Sequence, residues 1–497
     1  MRLCCGPARK RSRRGKDGEK TVNRRFLGRY VGDKYFYMGV LGLAIPIMVQ
    51  NGITNLVSML DNIMVGRVGT VQMTGVAVAN QLLFVFNLCI FGAVSGAGIF
   101  VAQFYGKRDS DGVRHTFRFK ILSGLLLAAV GIAVFAAFGG ALMQLYLRGE
   151  GDPAEARASL ECAKDYMRVM LVGLLPYAIT QCYSGTLRET GSPVPPMVAG
   201  ITAVCVNLGL NYVLIFGHLG APAMGAHGAA VATVISRFAE LAVVAGWTHR
   251  NTARNPFIVG AYRSLHIPGS LVRAVLLRGM PLMFNETMWS MGMAVLNQCY
   301  SVKGLDVVSA NTICQTFFNV FSVAFMAVGA AIGIILGQQL GAGRFDQART
   351  EARWLISFSL VLSVLVGALY FAFTGAIPQL YNTSDEIRAL ATGLMRISAL
   401  AMPLDAFANA SYFTLRSGGK TFITILFDSC FVWLISVPTA FILSRYTALP
   451  ILPLYAICQG ENFLKDIVGY IFVHKGIWVR NITDADPETE SEAPAAS

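Results

Sequence analysis

Val68–Gly106 reads VGTVQMTGVAVANQLLFVFNLCIFGAVSGAGIFVAQFYG, and no Asp, Glu, Lys or Arg interrupts it. The same is true of Thr190–Ser236, Val307–Gly343 and Trp354–Ser384. A helix that crosses a bilayer needs about 20 apolar residues, and each window is longer than that. The ~10-residue alternating segments of a membrane β-barrel do not occur. Of the 497 residues, 54% are hydrophobic and 14% charged, with a mean hydropathy of +0.54. A soluble globular chain carries about 25% charged residues. The chain is therefore an all-α polytopic membrane protein.

Working outward from these windows gives twelve transmembrane helices, over about 37–65, 74–104, 120–147, 165–187, 195–217, 226–248, 274–301, 308–340, 354–381, 390–415, 421–444 and 449–474. Pro46, Pro176, Pro281, Pro403 and Pro438 fall inside them, which membrane helices tolerate because neighbouring groups satisfy the freed backbone. Pro46 and Pro281 are 235 positions apart, and at that offset Met48 meets Met283, Asn62 meets Asn297 and Gly69 meets Gly304. The correspondence continues without a gap through Gln103/Gln338, Gly106/Gly341 and Arg118/Arg353. At offset 228, Met167-Arg168 meets Met395-Arg396 and Thr186-Leu187-Arg188 meets Thr414-Leu415-Arg416. The duplicated unit has six helices, so both halves enter the membrane from the same side. The expected architecture is two pseudo-symmetric six-helix lobes around one cavity, as in alternating-access transporters.

Charge sets the orientation. Net charge is +13, and residues 1–34 hold twelve Lys/Arg against Asp17, Glu19 and Asp33. Positive charge follows the second span (Lys107, Arg108, Arg114, Arg118, Lys120), the sixth (Arg250, Arg254, Arg263) and the eighth (Arg344, Arg349, Arg353). The loop after span three instead carries Glu150, Asp152, Glu155 and Glu161. The positive-inside rule places both termini in the cytoplasm, and a plasma (inner) membrane is the expected location. A basic arm of this kind marks the cytoplasmic side and attracts anionic lipid, and no nucleic-acid partner is expected. No signal peptide is apparent. The domains are a basic tail (1–34), an N-lobe (35–248), a cytoplasmic connection (249–273), a C-lobe (274–475) and an acidic tail (476–497) expected to be disordered.

Ionisable groups inside spans are rare and functional by default. Asp61 lies toward the outer end of helix one, Glu286 on helix seven and Asp405 mid-span on helix ten. A carboxyl group in a poorly hydrated pocket holds its proton to higher pH. If a proton or Na⁺ and a cationic substrate compete for such a pocket, the result is antiport. Structural readings stand beside this one: Asp61 with Arg67, Glu286 with Arg278, and Arg237 with Glu240 on one helix face. Arg168 and Arg396 suit structural pairing or the membrane interface. Gln50, Asn51, Thr180, Gln181, Asn207 and Asn211 are the neutral polar candidates for a cavity. The i,i+4 spacing puts Asn207 and Asn211 on one face, where helix–helix hydrogen bonding is the alternative use. Gly92-x3-Gly96 permits close helix packing, and 19 Met and 31 Phe suit a pliable aromatic pocket or lipid-facing packing.

Enzyme signatures fail. Ser417-Gly418-Gly419-Lys420-Thr421 imitates the end of a P-loop, but Thr414 stands where the first Gly is required. There is no His-Glu-x-x-His, and the cysteines (Cys89, Cys205, Cys299, Cys430 among them) form no zinc or disulfide pattern. No cofactor is expected beyond a coupling ion, H⁺ or Na⁺, and no metal beyond Na⁺ at Asp61 or at Glu286/Asp405.

The sequence resembles the multidrug and toxic compound extrusion (MATE) family. The resemblance rests on Pro46 through Gln81 with Asp61 and Val65-Gly66-Arg67-Val68-Gly69, on Leu187-Arg188-Glu189-Thr190-Gly191, on Asn207-Leu208-Gly209-Leu210-Asn211 with Ile215-Phe216-Gly217, and on Leu415-Arg416-Ser417-Gly418-Gly419. It implies two six-helix lobes in a V and export of organic cations against inward H⁺ or Na⁺. Asp61 is similar to the family's first-helix acid and Asp405 to its tenth-helix acid. Glu286 is on the proper helix, but the acid of several members falls one turn later, where this chain has Trp289. Asn211 stands where many members carry Asp. The expectation is a monomeric exporter of lipophilic, often cationic small molecules. The rivals are a flippase or exporter of a lipid-linked precursor or a dedicated metabolite, whose cavity would be lined by Arg or Lys, and a membrane enzyme or channel.

Overall fold

The computed structural model describes residues 30–146, 153–381 and 383–484. The basic arm up to residue 29, Glu150, Asp152 and the acidic residues beyond 484 lie outside the described residues. In chain order the helices are α1 Lys34–Gly66, α2 Thr70–Lys107, α3 Ser110–Tyr146, α4 Pro153–Glu189, α5 Val194–Phe216 and α6 Gly225–Arg250. There follow α7 Gly269–Ser301, α8 Leu305–Gly341, α9 Phe345–Phe373, α10 Asp385–Ser417, α11 Thr421–Tyr446 and α12, which is interrupted at Glu461 into Ile451–Gly460 and Asn462–Lys475. No β-strand occurs among the described residues.

Nine of these helices are long and apolar enough to cross a membrane. The other three stretches are α4, which carries Lys164, Asp165 and Arg168, α7, which carries Arg273, Arg278 and Glu286, and the interrupted α12. The helices overrun the expected spans at the basic loops, where their first and last turns are polar. Thus α3 starts at Ser110 with Asp111 in its first turn, a charge that suits a helix N-terminus. Helix α10 starts on the Ser384 side chain, which accepts from Ile387 N at 3.3 Å. One expected end is corrected: α9 stops at Phe373 rather than 381, and a 3₁₀ turn at Ile377–Leu380 contains Pro378, which cannot donate to a continued helix. Helix α11 carries a π-turn at Val432–Ser436 just before Pro438.

The repeat is visible in the packing. Gly69 (φ 154°) and Gly304 (φ 130°) stand immediately before α2 and α8 in a backbone region that suits glycine. Helix α1 packs on α5 and α8, and α7 packs on α11 and α2, so the first helix of each half reaches the second helix of the other. The close packing expected at Gly92-x3-Gly96 is of this kind: a Cβ on Gly92 would lie 2.8 Å from Met283 Cα, and Gly96 faces Gly279. Apolar clusters fill the first half (Phe86, Ile90, Phe117) and the second (Ile313, Tyr370, Leu454). A third joins Val40 and Leu43 of α1 and Phe100 of α2 to Ala331 and Leu336 of α8. Exposed Leu126, Phe138, Leu365 and Leu434 form an apolar exterior that suits lipid.

Both ends of the described chain lie at the face bearing the basic loops, called here the basic face. Phe36 meets Trp354 edge-on with centroids 5.2 Å apart. Near the other end, Trp478 is buried and Ile482 N donates to Gln103 Oε1 at 2.8 Å.

Candidate functional site

In the first half, α1, α5 and α6 bring a carboxylate to a pair of buried amides. Asn211 Nδ2 donates to Asp61 Oδ1 at 2.6 Å and lies 3.1 Å from Asn207 Oδ1. With the Asn207 amide turned so that its oxygen accepts from Thr233 Oγ1 at 3.2 Å, its nitrogen lies 3.0 Å from Asp61 Oδ1. That orientation satisfies both ends of the amide. Helix periodicity explains the arrangement, since positions four apart on α5 share a face. The Arg237 guanidinium on α6 acts on Asp61 through its field, pairs with Glu240 at 3.1 Å and stacks on Tyr177. The expected Arg237–Glu240 pair is thus present.

In the second half the polar groups are more numerous and lie on α7, α10, α11 and α12. Glu286 Oε1 accepts from Tyr412 OH at 2.8 Å. Asp405, two residues after Pro403, accepts from Asn462 Nδ2 at 2.9 Å, while its Oδ2 is buried with no partner. Asp466, one turn beyond Asn462, also has a buried, unpartnered oxygen and acts on Asp405. Beside them Lys465 Nζ binds Asp428 Oδ1 at 2.6 Å, and Asn285 Nδ2 reaches Asp428 Oδ2 at 3.1 Å. Buried charges of this kind need partners, because desolvation is costly. The distortion of α11 begins at Asp428, where two short helical pieces meet.

A cavity of about 150 Å³ lies between the halves, among α1, α2, α4, α8 and α10. Phe91, Gln181, Arg188, Glu189, Phe413 and Arg416 are on its wall. Behind it, Lys120 is fully buried and ion-paired with Glu189. Toward the basic face the halves are joined by Gln103 Nε2 to Ser417 O at 3.0 Å and Gln338 Nε2 to Glu189 O at 2.8 Å, beside the contacts of Gln103 to Arg480 O and Ile482 N and the Lys107–Asp484 ion pair.

The structure therefore brings Asp61, Asn207 and Asn211 together, and places Gln181 on the cavity. It puts Glu286 and Asp405 in separate contacts of the second half. Gln50 sits half-buried near Gly200 with its Oε1 unpartnered, Thr180 is buried with an unpartnered hydroxyl, and Asn51 is exposed. None of these three joins the acids. Arg168 pairs with Asp165 and Arg396 stacks on Phe371, both structural uses. Asp428, Glu461, Lys465 and Asp466 were missed by the sequence reading. The signal was available: they are ionisable residues inside the spans read at 421–444 and 449–474, the same sign that singled out Asp405.

Comparison with known proteins matches the MatE family model at residues 46–213 and 281–442. The two matches begin at the 235-position offset of the internal repeat. The chain is similar to a probable multidrug resistance protein NorM of Thermotoga maritima, 25% identical over 454 residues, covering 88% of this chain and 92% of the relative. It is similar at 25% identity to the multidrug resistance protein MdtK of Edwardsiella ictaluri, over 82% of this chain and 87% of that one. Among solved structures, an outward-facing multidrug resistance MATE family transporter of the MOP superfamily aligns with a TM-score of 0.79 at 20% identity, over 91% of this chain and 97% of its own. A MATE structure in complex with MaL6 aligns with a TM-score of 0.80 at 20% identity, covering 91% and 98%.

Proposed function

The chain belongs to the MatE family of multidrug efflux transporters, and on that footing we propose that it exchanges H⁺ or Na⁺ for lipophilic small molecules, cations among them. The reading has the protein act as a monomer in the plasma (inner) membrane, with both termini cytoplasmic and the two halves rocking about the cavity between them. The observation that carries it is the pairing of a carboxylate with an amide in each half, Asp61 with Asn211 and Asp405 with Asn462. A proton or Na⁺ taken up there changes the hydrogen bonds that tie α1 to α5 and α10 to α12. Those ties shape the helices around the cavity, so ion uptake biases which side is open. Substrate binding and ion binding are then linked through one conformational equilibrium.

The test is transport of a fluorescent cation by protein reconstituted in liposomes, under H⁺ and Na⁺ gradients imposed separately. Export driven by one gradient supports the reading and assigns the ion. Absence of export under both overturns it. The rival, movement of a lipid-linked precursor or dedicated metabolite, gains one specific support: Arg188 and Arg416 are on the cavity wall.

A further inference from the structure

Arg188 and Arg416 occupy the same position in the two halves, 228 residues apart, and both line the cavity between α2, α4, α8 and α10. Arg416 is only 7% exposed and lies 5.5 Å over the Phe413 ring, with no hydrogen-bond acceptor among the described residues. Arg188 Nε donates to Ser184 O at 3.3 Å, and its two terminal nitrogens have no acceptor among the described residues. Glu189, the acid on the same wall, is ion-paired with the fully buried Lys120 and acts on Arg188 and Arg416 through its field without hydrogen-bonding either. Glu286 acts on Arg416 through its field, while its Oε1 accepts from Tyr412. The wall thus presents two guanidinium groups with open donors, and a guanidinium offers five N–H groups in a fork that fits a carboxylate or phosphate. These donors face the cavity and not a protein acceptor, so a ligand carboxylate or phosphate seated there gains charge-assisted hydrogen bonds. Ile47, Phe91, Ile99 and Phe413 add apolar and aromatic surface, and Ser95 and Gln181 are neutral polar side chains beside them.

We propose that this cavity recognises the anionic group of an amphipathic ligand, a carboxylate or phosphate, between Arg188 and Arg416, with an apolar body against Phe91 and Phe413. A volume of about 150 Å³ is smaller than a drug-sized pocket of ~300–1,000 Å³; it seats the charged end and leaves the body to extend along the interface. The inference rests on the export reading and narrows its substrate class toward zwitterions and amphipathic anions.

Rhodamine 110 and its methyl ester rhodamine 123 test it, because they differ only in a free carboxylate. Binding to the purified full chain in neutral phosphatidylcholine nanodiscs is read by fluorescence anisotropy. Rhodamine 110 is expected to bind about tenfold more tightly than rhodamine 123. In Arg416→Gln that preference is lost, while rhodamine 123 binds within about twofold of wild type. Arg188→Gln reads the same wall if Arg416→Gln is not monodisperse. Equal or weaker binding of rhodamine 110 to wild type, or equal weakening of both dyes in the variants, overturns the proposal. Loss of the preference in phosphatidylglycerol discs upholds the anion site and assigns its occupant to a lipid headgroup. Retained preference with no gradient-driven transport would sink the export reading and leave this one standing.

Discussion

Gln103 and Gln338 hold equivalent places in the two halves, and each donates a hydrogen bond into the opposite half, to Ser417 O at 3.0 Å and Glu189 O at 2.8 Å. The acceptors are themselves repeat partners, 228 positions apart. Gly106 and Gly341 complete the contact, because a Cβ on either would collide with the backbone carbonyl of Gln338 or Gln103. Each acceptor directly follows Arg188 or Arg416 on the cavity wall. Separating the halves at the basic face breaks both bonds, together with the Lys107–Asp484 ion pair.

Gln103→Met and Gln338→Met should therefore loosen the basic face. Gln338→Met removes one bond worth about 0.5–1.5 kcal/mol, while Gln103→Met also removes its contacts to Arg480 O and Ile482 N. Faster hydrogen exchange is expected at residues 101–107 and 336–342 together, whichever Gln is replaced. Acceleration confined to the mutated helix would show that the two bonds do not act as one closure.

Asp405→Asn should abolish gradient-driven export, with folded protein still present in the membrane. Gel-filtration behaviour and dye transport in liposomes check the two parts. Transport at the wild-type rate would remove Asp405 from the mechanism.

Asp61→Asn should damage coupling more than expression, since Asn211 and Asn207 can still hydrogen-bond an amide. The measurement is dye efflux after a pH jump or a Na⁺ jump. An unchanged response to both jumps would leave Asp61 as a structural anchor for α5.

Glu286→Gln should weaken binding of a cationic substrate and keep the contact to Tyr412. Unchanged affinity by anisotropy titration would return Glu286 to a purely structural role.

Lys465→Met should lower stability by about 3–5 kcal/mol, because it strands Asp428 as a buried, unpaired charge. The double replacement Lys465→Met with Asp428→Asn should recover much of the loss, since it removes the stranded charge and keeps an acceptor for Asn285 Nδ2. Thermal unfolding in detergent distinguishes the cases; equal loss in single and double variants would mean that packing, not charge, dominates there.

Charge-free windows such as Val68–Gly106 and the 235-position offset could be read directly, because span length, hydropathy and duplication are properties of local sequence. Asp61, Glu286 and Asp405 were legible for the same reason: a carboxylate among apolar residues is conspicuous. Which neighbours they meet was not. Asn207 and Asn211 reach Asp61 across 150 residues of chain or nearly so, and Asn462 reaches Asp405 only because α12 packs on α10. Arg188 and Arg416 become cavity residues only because α4 and α10 both border the space between the halves. Burial and hydrogen bonding depend on where distant helices lie, and helix placement follows from packing of the whole bundle, which no window of the chain contains.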